Sequence, residues 1–592
     1  MKTQRQTAYQ AGYALLTALI FASVSIIILA TTLSWTSGSS RVTERNNAYN
    51  RAVSAAEADV ECVIARMDRD FLNHSIDYNN LTPYRLTVPT TYMSTGWPLD
   101  YQFTDTNYVV NQTTVIGGVQ SVQTNIDPQL PGLYGIVFPA RVASFAKHLG
   151  TGPYDVAAGV QQDFSLVIIP IFQFEAFYSL DLEINPGPLM QITGKVHGNA
   201  NMFLAPQTGL EFFDGVEAVG KVYYDRMTND PAYGSGKVMP VFDLPPHAAI
   251  SGANSMTLPI GTNNAPSAVV KILDVPPAGE DPLSALGAAR QYNLSDLIVT
   301  TTASGVTVKS GLWDLNTPLN PDLTNGGYSF IFTTNQFFDQ RENKTALVTD
   351  LDVAAFNRWL TNTGPNGGAA LNIAKKTKFG TNATPAGINS IYIDDRRSGS
   401  GNFAAVRVSN GQFLPPDGLT VATARPIYVM GDYNAPTPGS ANTANTKPAA
   451  LMGDAISVLS GNWSDTNSNN GASSTRTAKD DTVNAAFLAG IVETTMVGGV
   501  KHYSGGLENF PRFLENWSGK NFTYNGSMVV MFPSRYATSW WVGPSATTYY
   551  QAPHRVWAFD KNYLAKEKLP PNTPGVLKLV RGQWTTIAAA SP

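Results

Sequence analysis

A chain of 592 residues is too long for one ordinary core, so two or more domains are expected. Charged residues make up only 14%, against a usual ~25%; polarity is carried by Asn, Thr, Ser and Gly, which suits an exported, β-rich protein with long turns. The net charge of −4 with scattered Lys and Arg gives no basic stripe for nucleic acid, and the single cysteine, Cys62, excludes an internal disulfide framework and thiolate metal clusters.

Lys2 and Arg5 open a short basic segment, residues 1–12. No charged side chain follows until Arg41, and Tyr13 to Leu33 is apolar apart from small hydroxyls. About 20 such residues in a helix cross the hydrocarbon of a bilayer, so residues 13–35 are expected as a transmembrane helix. Thr17, Ser23, Ser25, Thr31 and Thr32 can bond back to the preceding turn, and Trp35 falls where an interfacial aromatic sits. The charge bias across the segment is weak, but a long C-terminal part is exported regardless; N-terminus in, C-terminus out is expected. A secretory signal has an apolar core of about 7–15 residues, shorter than this one. Plain secretion and a simple signal anchor remain the competing readings.

Beyond the span, Val42, Tyr49, Val53, Ala56, Val60, Ile64, Met67 and Phe71 recur at helical spacing. With no Pro to stop it, the helix is expected to run on as an amphipathic stalk over 36–72, a rod of roughly 90 Å in all at 1.5 Å per residue. Cys62 on this stalk reads as a small packed residue or, alternatively, as one half of an intermolecular disulfide.

The leader, the run Gly12-Tyr13-Ala14-Leu15-Leu16 and the stalk stretch Ala52–Ala58 resemble the minor pilins and pseudopilins, particularly the PilX-like group. The resemblance implies cleavage by prepilin peptidase after Gly12, with Tyr13 as the mature N-terminus, and packing against other pilin-like subunits through the N-terminal helix. One position departs from the pattern: most pilins carry Glu at mature position five, and here that residue is Thr17. The resemblance spans only the first ~70 residues.

From residue 73 the texture changes to short alternating runs between Pro-, Gly-, Asn- and Thr-rich turns. A mainly β exported region is expected, either a parallel β-helix or solenoid with an α/β insertion or an irregular sandwich. The solenoid reading divides it into 73–225 as the first part, 226–385 as an inserted α/β segment and 386–592 as the second part. No strict period is visible. Helices are expected over 281–292 and 349–360, and an exposed loop over 462–481. The stretches Gly187–His197, Tyr503–Trp517 and Thr523–Ser527 look like uncharacterised exported domains that follow PilX-like N-termini, which implies architecture but no activity.

No HExxH, GxSxG, Walker A or dinucleotide fingerprint occurs, and the six histidines lack metal-ligand spacing. No catalytic residue and no cofactor is expected. Asp394-Asp395-Arg396-Arg397 reads as local ion pairs, because neighbours on a strand face opposite ways. Asp465, Asn467, Asn469 and Asp480 place oxygens as a loose calcium loop does, but Arg476 stands where an EF-hand needs Glu. Trp540-Trp541, within a dense late run of aromatics, is the best platform for stacking on a ligand such as a surface glycan. The expected function is a non-catalytic, membrane-anchored structural or assembly protein of a type IV pilus or type II secretion-like system, at the inner membrane or the pilus surface. The alternative is an adhesin or glycan-binding protein on a simple anchor, and a third reading is a β-helix carbohydrate-active enzyme.

Overall fold

The computed structural model describes residues 7–73, 75–126, 130, 132–150, 156–311, 331–361 and 388–588, plus the backbone of two short strands, Ile373–Lys375 and Thr384–Ala386. The chain begins as one helix, α1, Thr7–Leu72. Of the five hydroxyls expected to bond back, Thr17, Ser23, Thr31 and Thr32 each donate to the carbonyl four residues back, at 2.7–2.9 Å, which satisfies them within the apolar run; no such bond is formed by Ser25. Side chains from Tyr13 to Trp35 are exposed throughout. Burial begins at Ala52 and continues through Ala55, Ala56, Val60, Val63, Ile64, Met67 and Phe71. The expected stalk face is therefore correct only in its second half: Val42 and Tyr49 are exposed, because nothing among the described residues packs there.

What covers the second half of α1 is an antiparallel sheet. Its order is Tyr101–Thr104, Tyr134–His148, Ala157–Pro170 and Gly575–Ile587, with Thr114–Gly117 and Ser121–Thr124 also paired to Tyr134–His148. The inward residues Phe103, Val115, Phe138, Val142, Val160, Phe164, Leu166 and Leu577 meet the helix in one apolar cluster. Each such aliphatic or aromatic side chain contributes roughly 1.5–3 kcal/mol when fully buried. Residues 101–170, expected as the first part of a solenoid, belong instead to this helix-on-sheet module. Because Ala157–Pro170 and Gly575–Ile587 are neighbours, everything from 171 to 574 is threaded between two adjacent strands of one sheet.

That inserted body is built from parallel ladders. In its first part, partners stand twenty residues apart: Leu182 with Met202, Met190 with Leu210, and Val196 with Val216. In its second part the chain alternates between two ladders. One contains Leu297–Thr302, Ser390–Asp395, Leu419–Ala422, Ala449–Gly453, Asp481–Ala489 and Asn521–Val530. The other contains Lys344–Asp352, Asn402–Ser409, Ile427–Met430, Ile456–Leu459 and Arg512–Phe513. The antiparallel strands Gly305–Ser310 and Phe332–Asp339 cover the edge of each ladder.

The two parts are one structure. Met528–Val530 pairs with Ala176–Tyr178, so a buried row runs through Leu297, Ile391, Val421, Leu451, Phe487, Met528, Ala176, Val196 and Val216. Strands buried on both faces read as apolar runs without clean alternation, which is what the sequence shows here. The expected 226–385 insertion is not separate, since Leu297–Thr302 and Lys344–Asp352 are members of the ladders. The helix expected over 281–292 is two short turns, Ala285–Ala289, capped by Ser284 rather than Asp281, and Gln291–Leu294, which has no side-chain cap. The helix expected over 349–360 is Val353–Thr361, with Asp352 accepting from the Ala355 N–H at 2.7 Å; Thr349 to Asp352 remain in the strand. The expected exposed loop over 462–481 is pinned by buried Arg476, which donates to the carbonyls of Leu514 and Tyr549 at 2.8 and 3.0 Å.

Candidate functional site

Two features carry chemistry: the bare first half of α1 and a cleft in the body. The first is a helix long and apolar enough to cross a membrane. Gly12 and Tyr13, the candidate processing site, lie inside continuous helix, and Thr17 bonds back to the Tyr13 carbonyl at 2.8 Å. Where the helix meets its sheet, Asp59 is fully buried and accepts from Thr113 Oγ1 at 2.8 Å and Ser144 Oγ at 2.5 Å. Burial pushes its carboxyl up to about 7, against the lowering effect of those two hydroxyls. Cys62 is half-buried one turn on, and burial, then Asp59 and Glu61, push its thiol up, so the thiolate that a disulfide exchange needs is disfavoured.

The cleft, about 820 Å³, lies where the two parts of the body meet. One wall is the turn Asn185–Gln191 together with Gln207; the other comes from 503–509 and 541–557. Asn521–Val530 creates the junction, pairing with His554–Phe559 along its first half and with Ala176–Tyr178 along its end. The wall at 541–557 is fixed by a chain of hydrogen bonds. Trp541 Nε1 donates to Tyr550 Oη at 2.7 Å, Tyr550 Oη donates to Asn509 Oδ1 at 3.2 Å, and Arg555 Nη2 donates to the same oxygen at 2.8 Å. Gly505, at a positive φ of 100°, brings backbone against Trp541; a Cβ there would stand 3.1 Å from the indole.

Charges in the cleft are matched. Arg226 donates to Asp230 at 2.8 Å. Glu508 is buried, accepts from Tyr503 Oη at 3.1 Å and from the Asn185 N–H at 3.3 Å, and is pushed up to about 7 by burial, with Arg555 acting against that rise. Arg555 Nε and Trp557 Nε1 are buried with no hydrogen-bond partner among the described residues.

The tryptophan pair is divided by the structure. The segment carrying it is not a strand: it is pinned by Asp454, which accepts from the N–H groups of Tyr536 and Ala537, and by Glu342, which accepts from that of Ser539 at 3.0 Å. Trp541 enters the cleft, whereas Trp540 stacks on His502 with ring centroids 3.5 Å apart. The loose calcium set is not assembled. Asp465 is taken by Arg407 at 2.6 and 3.1 Å, a guanidinium standing where a cation would, while exposed Asp480 accepts from the Asn521 N–H at 3.1 Å. Asn467 and Asn469 are exposed, and no cluster of three metal-ligating side chains occurs among the described residues.

Asp394 and Asp395 form separate ion pairs with Arg396 and Arg397. Of the histidines, His197 is buried between Glu217 at 2.8 Å and Asn199 at 2.9 Å, and His74 lies outside the described residues. Sequence reasoning missed Tyr503, Glu508, Arg555 and Trp557 as parts of one site. The stretches Gly187–His197 and Tyr503–Trp517 stood out in the sequence, and both line the cleft, but only the strand pairing brings them together.

No family model matches the chain, and no curated protein does. Among solved structures, the competence-associated pilin ComZ from Thermus thermophilus aligns over 91% of this chain and 97% of its own, at 11% identity and a TM-score of 0.26. At that score the alignment carries no conclusion about fold or role.

Proposed function

We propose that this chain is a membrane-anchored, minor-pilin-like structural subunit of a type IV pilus or type II secretion-like assembly. The observation that carries the reading is the division of α1: its second half packs on the core face of a sheet, while its first half presents apolar side chains to nothing among the described residues. Such a surface is stable only in lipid or against other apolar helices. A PilX-like role follows from the leader and from Gly12–Leu16, with prepilin peptidase removing residues 1–12 and the C-terminal part lying outside the cytoplasm. The ladders support a parallel β-helical body carried on the stalk module. The subunit acts by packing rather than by catalysis, in keeping with Asp230 and Glu508 both being engaged by neighbours.

Co-expression with a prepilin peptidase, followed by N-terminal sequencing and intact mass of the membrane-extracted protein, tests this. A start at Tyr13, abolished by Gly12→Val, is expected. A start near Ser39, or an uncut Met1 in the presence of active peptidase, overturns the pilin-type assignment.

A further inference from the structure

We infer that the cleft between the two parts of the body binds a neutral oligosaccharide. A volume of about 820 Å³ lies within the roughly 300–1,000 Å³ typical of small-molecule sites, which favour interfaces between structural units. Its walls combine two chemistries. Trp541 and Trp557, each half-buried, offer indole surface; the exposed Gln191 and Gln207 offer planar amides. A sugar ring has the matching duality, an apolar C–H face and an equator of hydroxyls that both donate and accept.

Charge narrows the class. Nucleic acid and phosphorylated ligands need cations free to neutralise them. Here Arg226 is committed to Asp230, and Arg555 is committed to Asn509 and lies in the field of Glu508. A purely apolar ligand would strand the polar groups of the walls without water. Two buried donors on residues lining the cleft, Arg555 Nε and Trp557 Nε1, have no partner among the described residues, which leaves them capacity for a ligand hydroxyl. The bonded chain Trp541–Tyr550–Asn509–Arg555 holds the wall before the ligand arrives, which lowers the ordering cost of binding. This inference is independent of pilin-type assembly, since the cleft is complete within one chain.

The test uses the full chain in a zwitterionic detergent without a sugar head group. It is probed on an array of neutral and acidic glycans, with a single-stranded oligonucleotide and a proline-rich peptide alongside, and hits are titrated by calorimetry. At least one neutral oligosaccharide is expected to bind saturably at one site. Trp541→Ala and Trp557→Ala are each expected to weaken it at least about tenfold, ~1.4 kcal/mol. Trp541→Phe keeps a ring and is expected to retain most of the affinity, and Trp540→Ala, outside the cleft, to leave it unchanged. Thermal melts of each variant separate lost binding from lost folding. The inference is overturned by no saturable neutral glycan, by binding that Trp541→Ala and Trp557→Ala leave intact in folded protein, or by tighter binding of the oligonucleotide or peptide.

Discussion

The stalk module and the body bury their cores in opposite ways. In the module, a helix lies across an antiparallel sheet whose last strand arrives from the far end of the chain, Gly575–Ile587 beside Ala157–Pro170. In the body, most strands stack parallel on a neighbour in two ladders with antiparallel strands at the edges, and one apolar row from Leu297 to Val216 runs through the first of those ladders and on into the twenty-residue layers. The difference teaches where fragility sits. The module is closed by one distant strand, so its integrity depends on a contact of very long loop closure. The body adds layers one on another, so damage to one layer is shared with its neighbours.

The strongest way to break this contrast is to remove residues 575–592. Val576 and Leu577 are buried and the strand covers one side of Ala157–Pro170. Losing it exposes that edge and removes Leu577 from the cluster against α1, at a cost of several kcal/mol at roughly 1.5–3 kcal/mol per large side chain. Limited proteolysis is expected to cut within 75–170 while the ladders of 176–559 survive; equal loss of both would abolish the distinction drawn above.

Phe487→Ala probes a single layer of the body. Its ring is fully buried in the apolar row, and removal should cost about 3–5 kcal/mol. Denaturant unfolding monitored by tryptophan fluorescence should show the loss, with little change at the stalk module, whose tryptophans Trp97 and Trp584 are both exposed.

A smaller effect lies at the helix–sheet boundary and depends on pH. Burial raises the Asp59 carboxyl from 3.8 to about 7. Below about pH 4 the acid is neutral in both the folded and unfolded chain; between about pH 4 and 7 only the unfolded chain ionises. Stability from this group therefore falls as pH rises through that window and levels off above it, by up to a few kcal/mol. Thermal melts at pH 5 and pH 8 should show Asp59→Asn losing less than the parent chain. An identical loss in both would mean the buried carboxyl does not titrate as argued. Glu175, Glu183 and Glu515, also pushed up to about 7 by burial, give the body a background slope of the same sign.

The smallest effect is expected at Arg581→Ala. Arg581 in the closing strand pairs with Glu61 on α1 at 2.5 and 2.7 Å, but both side chains are about half exposed. Exposed pairs contribute roughly 0–1 kcal/mol, so the melting temperature should shift little. A large shift would show that the module is held by charge more than by its apolar face.

The sequence alone determined the parts governed by local rules. The uncharged run from Tyr13 to Leu33 was legible as a helix long and apolar enough to cross a membrane, since in lipid unpaired backbone groups are too costly for any other spanning form, and the back-bonding of Thr17, Ser23 and Thr31 followed from residue type. The β-rich texture after residue 73 was legible from apolar runs between turn residues. Tertiary structure decided everything that depends on pairing across distance. The twenty-residue recurrence of 182–221 was present in the letters, with Pro186 and Pro206 at equivalent turns, but it covers too few layers to stand out. The later layers are spaced irregularly, so Val421, Leu451 and Phe487 share a row that no period announces. The cleft belongs to the same class: Asn185, Asn509 and Trp541 are far apart in the chain and meet because the end of Asn521–Val530 docks on Ala176–Tyr178. Hydrophobic patterning specifies which face of an element is buried, but not which partner buries it, since apolar burial is non-directional and register is settled only when whole ladders form.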